Sequence, residues 1–305
     1  MKLIQPKAEL LPWTPGVEGV YKMIELAGRT CYKSTDKITE DNAKPFVDRM
    51  IASKHTAMLE HGTVYLAMPM ETIFPIEANG WGKYRNKYSK AGIVCEYNGE
   101  QRVAVTTNLR VIVENGWLDD LQYICEPTEY HERRYSFKLT TSIGVTRELN
   151  RHRVNSIAEQ STRYCNYSKD KFGGEVAFCI PSWLDVKEGS YTWDQYFGPY
   201  RYIDLSSPVP EQFIADCFCS EKNYLDLIEQ GWVPQQAREV LPLCTATEIV
   251  HTAFASDWRF FFDLRLFGNT GKPHPNMLQL AELMKAEAEK QGIWDDIMKY
   301  PSKFE

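Results

Sequence analysis

The chain has 305 residues, a formal charge of −6 and a sequence pI of about 5.7. That acidic balance argues against bulk nucleic acid or an anionic membrane surface as its partner, and no apolar run is long enough to cross a bilayer. The opening "MKLIQPKAELLPW" lacks the apolar core and cleavage site of a signal peptide, and eight scattered cysteines without a Cys-x-x-Cys spacing fit a reduced, cytoplasmic setting.

Helical spacing of Met23, Ile24 and Ala27 predicts a helix over 20–33, and Phe46, Met50 and Ile51 predict another over 45–55. "HGTVYLAM" (61–68) reads as a strand. Residues 77–101, rich in Gly, Asn, Lys and Tyr, read as an exposed excursion. A strand follows from 101, running into another element by 116. The segment 135–144 reads as a strand, and 145–154 as a helix that Asn155 and Ser156 end. Residues 182–212 form a Tyr- and Trp-rich connection broken by Pro and Gly. Helices are predicted over 211–230, 233–240, roughly 245–267, and 275–291. Strands early and helices late predict a single α+β domain over 1–305, a mainly antiparallel sheet packed by helices, with insertions near 77–101 and 182–212.

Within that acidic chain, "RHRVNSIAEQSTRY" (151–164) stands apart. Residues 147–163 carry Arg147, Arg151, Arg153 and Arg163 against only Glu148 and Glu159, a local excess of positive charge. Pairs such as Glu148 with His152 or Glu159 with Arg163 account for part of it. Arg147 and Arg151, four apart on the predicted helix, repel each other by roughly 0.2–0.5 kcal/mol. Arginine grips phosphate and carboxylate in a bidentate manner, so an anionic small molecule with more than one phosphate is the better reading. No Gly-rich dinucleotide fingerprint, phosphate loop or metal-binding spacing is present, and no metal is expected.

Arg151-His152-Arg153, seven residues, then Ser161, with Glu159 and Arg163-Tyr164 in place, resembles the signature of the flavin-dependent thymidylate synthases (ThyX). "LEHGTVYL" (59–66), "AREVLP" (237–242), "WRFFFDLR" (258–265) and "PHPNM" (273–277) resemble further landmarks of that family, in the same order. The likeness runs from about residue 20 to 290, except in the two excursions.

The resemblance implies methylation of dUMP to dTMP, with 5,10-methylenetetrahydrofolate giving the carbon and FAD, reduced by NADPH, giving the hydride. It places His61, Thr63, Arg151, His152, Arg153, Glu159, Phe254 and Phe260 on the cofactor side. It places Glu148, Arg151, Glu159, Gln160, Ser161, Arg163, Arg238 and Arg265 around the nucleotide. Arg265 would face the pyrimidine and stabilise its N3-deprotonated form. Phe254 and Phe260 depart from the polar residues common at those places, and Glu148 stands where some members have Gln. The resemblance also implies a homotetramer with shared sites. Two other readings remain: a non-catalytic nucleotide-binding module without flavin, and single-strand nucleic-acid binding through the aromatic excursions. The second is weakened by the acidic balance, so no nucleic-acid or membrane partner is expected.

Overall fold

The computed structural model describes residues 1–73, 82–199 and 201–304. Its strands are β1 (Lys2–Ile4), β2 (Lys7–Leu10), β3 (Thr63–Pro69), β4 (Lys90–Tyr97), β5 (Glu100–Asn108), β6 (Arg134–Ser142), β7 (Ser156–Glu159), β8 (Ala177–Cys179), β9 (Gly189–Ser190) and β10 (Ala246–Phe254). The helices are α1 (Gly16–Cys31), α2 (Ala43–Ala52), α3 (Met70–Ile73), α4 (Leu109–Glu114), α5 (Ile143–Leu149), α6 (Trp193–Phe197), α7 (Val209–Glu229), α8 (Pro234–Ala237), α9 (Ala255–Arg265), α10 (Pro275–Lys290) and α11 (Trp294–Met298).

Among the described residues these strands form three sheets, ordered β8-β1-β9, β2-β6-β10-β7 and β3-β5-β4. Apart from the parallel β1–β8 pair, neighbouring strands run antiparallel. The fold is therefore of the expected α+β class, with antiparallel sheets packed by helices. No described helix is long and apolar enough to cross a membrane.

The main departure from expectation lies at 245–267, which splits into β10 and α9 instead of forming one helix. Thr247, Ile249, Val250 and Thr252 are β-branched and suit a pleated strand. β10 is central in its sheet and covered on both faces, so its hydrophobicity lacks the period of two that marks a half-exposed strand. Ile249 and Ala253 pack with Phe137, Leu139, Trp258 and Phe261 under α5, α9 and α10. Val250, on the opposite face, packs with Leu11, Ala27 and Ala158 under α1. Strands thus run late into the chain, and helices α1 and α2 precede most of them.

Three smaller corrections follow. Residues 90–101 are largely exposed, as expected, but they are a paired hairpin and not an irregular excursion: β4 pairs with β5, and Gly92 (φ +122°) sits where the register slips between Ala91 and Ile93, a bulge that favours glycine. Positions 77–81 of that expectation lie outside the described residues. The helix expected over 145–154 stops at Leu149, and Ser156 opens β7. Arg151 is therefore off the helix, and the repulsion expected with Arg147 along a helix face does not arise. Within 182–212 lie β9, α6 and the start of α7.

Two further cores support the site. Val20, Ile24, Phe46 and Val47 of α1 and α2 pack on Val64, Leu66, Val103 and Val105 of β3 and β5. Leu3 and Phe178 pack against Ile214, Cys217 and Tyr224 of α7. A Cβ at Gly62 would come within 2.5 Å of Ile24 Cδ1, so glycine there lets the 3-10 turn Thr56–His61 press onto α1.

Candidate active site

Strand β10 carries the site. Its backbone aligns Ile249 with Glu159, His251 with Ile157 and Thr252 with Ser156. Successive side chains point to opposite faces. His251 lies 4.6 Å from the Trp258 ring on the α9 side, while Thr252 bonds His61 on the α1 side. The residues singled out from sequence fall into three groups along this strand.

The first group joins α5 to the end of α9. Ser142 caps α5 by accepting from the Val145 amide at 3.4 Å, and the helix closes with Asn150 as C-cap. The chain then turns tightly, with the Arg151 and His152 amides donating to the Glu148 and Leu149 carbonyls. Arg265 donates through Nη1 to Glu148 Oε2 at 2.7 Å, through Nη2 to the Glu148 carbonyl at 3.3 Å, and through Nε to His152 Nε2 at 3.4 Å. His152 must be unprotonated at Nε2 to accept that bond. Burial first, and then the nearby Arg265 and Lys303 cations, hold its pKa down to about 4. Its ring contacts Phe260 at 6.0 Å and Phe261 at 5.1 Å. Arg151 and Arg153, on either side of it, are exposed. The pairing of Glu148 with His152 considered from sequence gives way to Glu148 with Arg265.

The second group follows β7. Thr146 donates to Glu159 Oε1 at 3.0 Å, and burial raises the Glu159 carboxyl above its usual range against hydrogen bonds that lower it. The Gln160 backbone amide donates to the Glu248 carbonyl at 2.7 Å, and the buried Gln160 side chain donates to Tyr167 Oη at 3.4 Å. The Ser161 amide donates to the Cys31 carbonyl at 2.8 Å, tying this loop to the end of α1. Ser161 Oγ accepts from the Arg163 amide at 3.3 Å. Arg163 is exposed over the Tyr164 ring at 5.4 Å, and that ring packs on Tyr32. Arg238 donates to Thr162 Oγ1 at 3.1 Å, which brings the late "AREVLP" segment to the signature loop. The expected pairing of Glu159 with Arg163 is not formed.

The third group is the buried histidine network. His61 Nδ1 lies 2.9 Å from Thr252 Oγ1, which lies 2.7 Å from Ser136 Oγ. Burial, reinforced by Arg134, holds the His61 pKa down to about 3. Its Nε2 is buried with no hydrogen-bond partner, and the residue lines a cavity of about 180 Å³ with Thr63, Tyr65, Trp13 and Arg134. Arg134 is the residue that sequence reasoning missed. It donates to the Glu60 carbonyl and to Thr63 Oγ1 through Nη1, and to Ser156 Oγ through Nη2, each at 3.1 Å. The only hint was an Arg133-Arg134 pair opening a strand. Arg134 also lies over the Phe254 ring at 5.3 Å. Phe254 is buried and Phe260 half-buried, so neither offers a polar contact.

Among the described residues no group of three His, Cys, Asp or Glu side chains is placed to hold a metal ion. Two separate features suit a phosphate-bearing ring cofactor, although Arg151 and Arg153 do not line the His61 cavity. An unpartnered buried His61 nitrogen faces a cavity, and the Arg151 and Arg153 side chains have no ion pair among the described residues.

An antiparallel core strand is thus flanked by exposed arginines on one loop and by buried histidines. A family model described as thymidylate synthase complementing protein matches residues 127–291, more than half of the chain, and the chain belongs to that family. Membership supports thymidylate synthesis as the class of reaction. Two solved structures of a UMP/dUMP methylase, PolB from Streptomyces cacaoi, are similar. The one bound with 5-Br dUMP is 16% identical, with 98% of each chain covered and a TM-score of 0.44. The one bound with 5-Br UMP is 16% identical, with 98% of this chain and 96% of the other covered and a TM-score of 0.45. No curated protein matches the chain.

Proposed function

We propose that the protein is a flavin-dependent thymidylate synthase, methylating dUMP to dTMP with 5,10-methylenetetrahydrofolate and FAD reduced by NADPH. The observation that carries this is Arg265, held by Glu148 and His152 at the head of the Arg-His-Arg signature, inside the family-matched range. When bound, the reduced flavin supplies the hydride that turns the folate-derived methylene into a methyl group, so the folate leaves as tetrahydrofolate. Residues 1–305 are read as one catalytic domain, working as a cytoplasmic homotetramer.

In this reading Arg163, Arg238 and Ser161 hold the nucleotide phosphate, with Gln160 and Glu159 shaping the loop behind them. Arg151 and Arg153 meet the cofactor phosphates, and His152, Thr63 and His61 line the cofactor side with Phe254 and Phe260. Arg265 is already oriented by two bonds to Glu148, so its charge meets the pyrimidine without reorganising. A preorganised cation of that kind stabilises negative charge as it develops at N3, worth roughly 3–4 kcal/mol in a water-poor site. His152 stays neutral at physiological pH, so its Nε2 remains free to accept from Arg265 and adds no repelling charge beside it.

The chemistry assigns no cysteine nucleophile. Cys165 directly follows the signature but is fully buried in the core with Tyr167 and Phe178. The full-length protein should carry flavin in stoichiometric amount, form tetrahydrofolate in step with dTMP, and keep substantial activity as Cys165→Ala. Dihydrofolate formed in step with dTMP, or a dead Cys165→Ala variant that still binds FAD and dUMP, would refute this mechanism. A colourless protein that binds dUMP would favour the non-catalytic nucleotide-binding module instead.

A further inference from the structure

Two thiols meet where α7 passes the entry to β10. Cys217, on the inner face of α7, is 1% exposed, and Cys244, two residues before β10, is half-buried. Both are free, and their sulfurs lie 3.8 Å apart. A disulfide is about 2.05 Å long, so roughly 1.8 Å separates this pair from bonding distance.

The surroundings hold both ends. The Cys244 carbonyl accepts from the Cys179 amide of β8 at 2.8 Å, and the Leu243 carbonyl accepts from the Gly144 amide of α5 at 2.9 Å. The Thr245 amide donates to the Pro242 carbonyl at 3.0 Å. Cys217 lies within a 21-residue helix, with Ile214 and Phe218 buried beside it in the core that also takes in Cys244. Cys219 is exposed. Two residues further along the helix, it is turned by roughly 200° from Cys217 and does not compete for Cys244.

The two thiols are not equivalent. The thiolate is the reactive form, and a thiolate on the fully buried Cys217 is the costlier of the two. The hydrogen bond from Cys217 lowers the Cys244 thiol below its usual range, against the burial that raises it. The same bond, and then burial, push Cys217 up. Cys244 is also the sulfur that a small oxidant can reach, beside Leu243, which is 59% exposed.

We propose that Cys217 and Cys244 are an oxidation site, at which a hydroperoxide oxidises Cys244 and Cys217 then closes a disulfide tying α7 to the entry of β10. First the Cys244 thiolate attacks a peroxide oxygen and the O–O bond breaks. With hydrogen peroxide the products are a sulfenic acid on Cys244 and one water, which carries off the thiol proton. The Cys217 sulfur then attacks the Cys244 sulfur, and the S–O bond breaks. The hydroxyl leaves as a second water with the Cys217 proton, so two thiols and one peroxide give one disulfide and two waters. The new bond joins positions 27 apart and encloses Arg238, which reaches Thr162 of the signature loop at 3.1 Å. Oxidation therefore restrains that segment, and by limiting the unfolded chain it stabilises the fold. None of this depends on a bound flavin.

The full-length protein is treated with hydrogen peroxide in slight excess, then denatured, alkylated and digested for mass spectrometry. Wild type should lose two of its eight thiols to a peptide linking Cys217 with Cys244, and dithiothreitol should restore them. Its Tm should rise by roughly 3–8 °C on oxidation. Cys217→Ala should leave a sulfenic acid on Cys244 that dimedone captures, whereas Cys244→Ala should leave none on Cys217. Cys219→Ser should behave as wild type. Wild-type protein in which this pair stays unlinked, a link that forms only after denaturation, or a link that lowers Tm overturns the proposal. So does dimedone capture at Cys217 in place of Cys244.

Discussion

Around His61, Thr252, Ser136 and Arg134 the polar groups are buried and bonded mainly to one another, whereas Arg151, Arg153 and Arg163 stand exposed on a loop. The first region is fixed by folding, because a buried hydroxyl or guanidinium without partners costs too much to persist. The second has spare charge that folding does not need. In the proposed function the first region is scaffold and the second receptor, so changes to the two should be read by different instruments: stability for the first, ligand affinity for the second.

Acid should break the buried region most severely. Burial first, with help from neighbouring cations, holds His61 to about 3 and His152 to about 4, and burial also lowers His251 and His131. In the unfolded chain each would take up a proton near pH 6.5. The stability these neutral histidines contribute is therefore complete above about pH 6.5 and is lost as pH falls toward 4. Glu159 and Asp257, both raised by burial, work in the opposite sense and soften the loss. At roughly 1.4 kcal/mol per pKa unit, two or more histidines approach the whole stability of a domain. Tm measured from pH 7 to pH 4 should drop steeply. A flat profile would show that the histidines are solvated.

Arg134→Met comes next. Three acceptors lose a charged donor, a loss of about 2–4 kcal/mol after the relief of burying a cation. Thermal melting at pH 7 should fall by roughly 5–15 °C, and an unchanged Tm would show that the network is not structural.

Arg265→Ala sits on the boundary between the two regions. Turnover should fall roughly 10²–10³-fold while Tm moves little, because its Glu148 partner is partly exposed and such a pair contributes about 1 kcal/mol or less. The reverse pattern, a lower Tm with full turnover per folded molecule, would make Arg265 a structural partner of Glu148.

Arg163→Ala, at the exposed extreme, should weaken dUMP binding about tenfold. Its Tm should stay within about a degree or two, as for an ordinary surface change. Isothermal titration at low and high salt checks both parts. Binding loss without salt dependence would argue that Arg163 acts by packing on Tyr164.

The exposed region was legible in the sequence because its chemistry is carried by residue type. Four arginines beside a histidine in an acidic chain are conspicuous wherever the backbone places them. The buried region was much less so. β10 was read as helix because a strand covered on both faces loses its alternation, and a continuous apolar run suits either period. Without β10 as a strand, Thr252 and Ser136 cannot be seen to meet His61. Arg134 belonged to no motif, and its role depends on carbonyl and hydroxyl groups brought in from positions 60, 63 and 156.

The placement of β10 also bears on how the protein comes to exist. Its partners are β6, reaching back to Arg134, and β7, reaching back to Ser156, so each pairing closes a loop on the order of a hundred residues. Contacts so far apart in sequence are slow to form. A growing chain displays its arginine signature long before the strand that organises it has been made. Until then those cations have no geometry, and the edges of β6 and β7 that β10 will cover are open to other chains. The site therefore appears in a single late step, when β10 docks, and helpers that shield β6 and β7 during synthesis should raise the yield of active enzyme more than added ligand does.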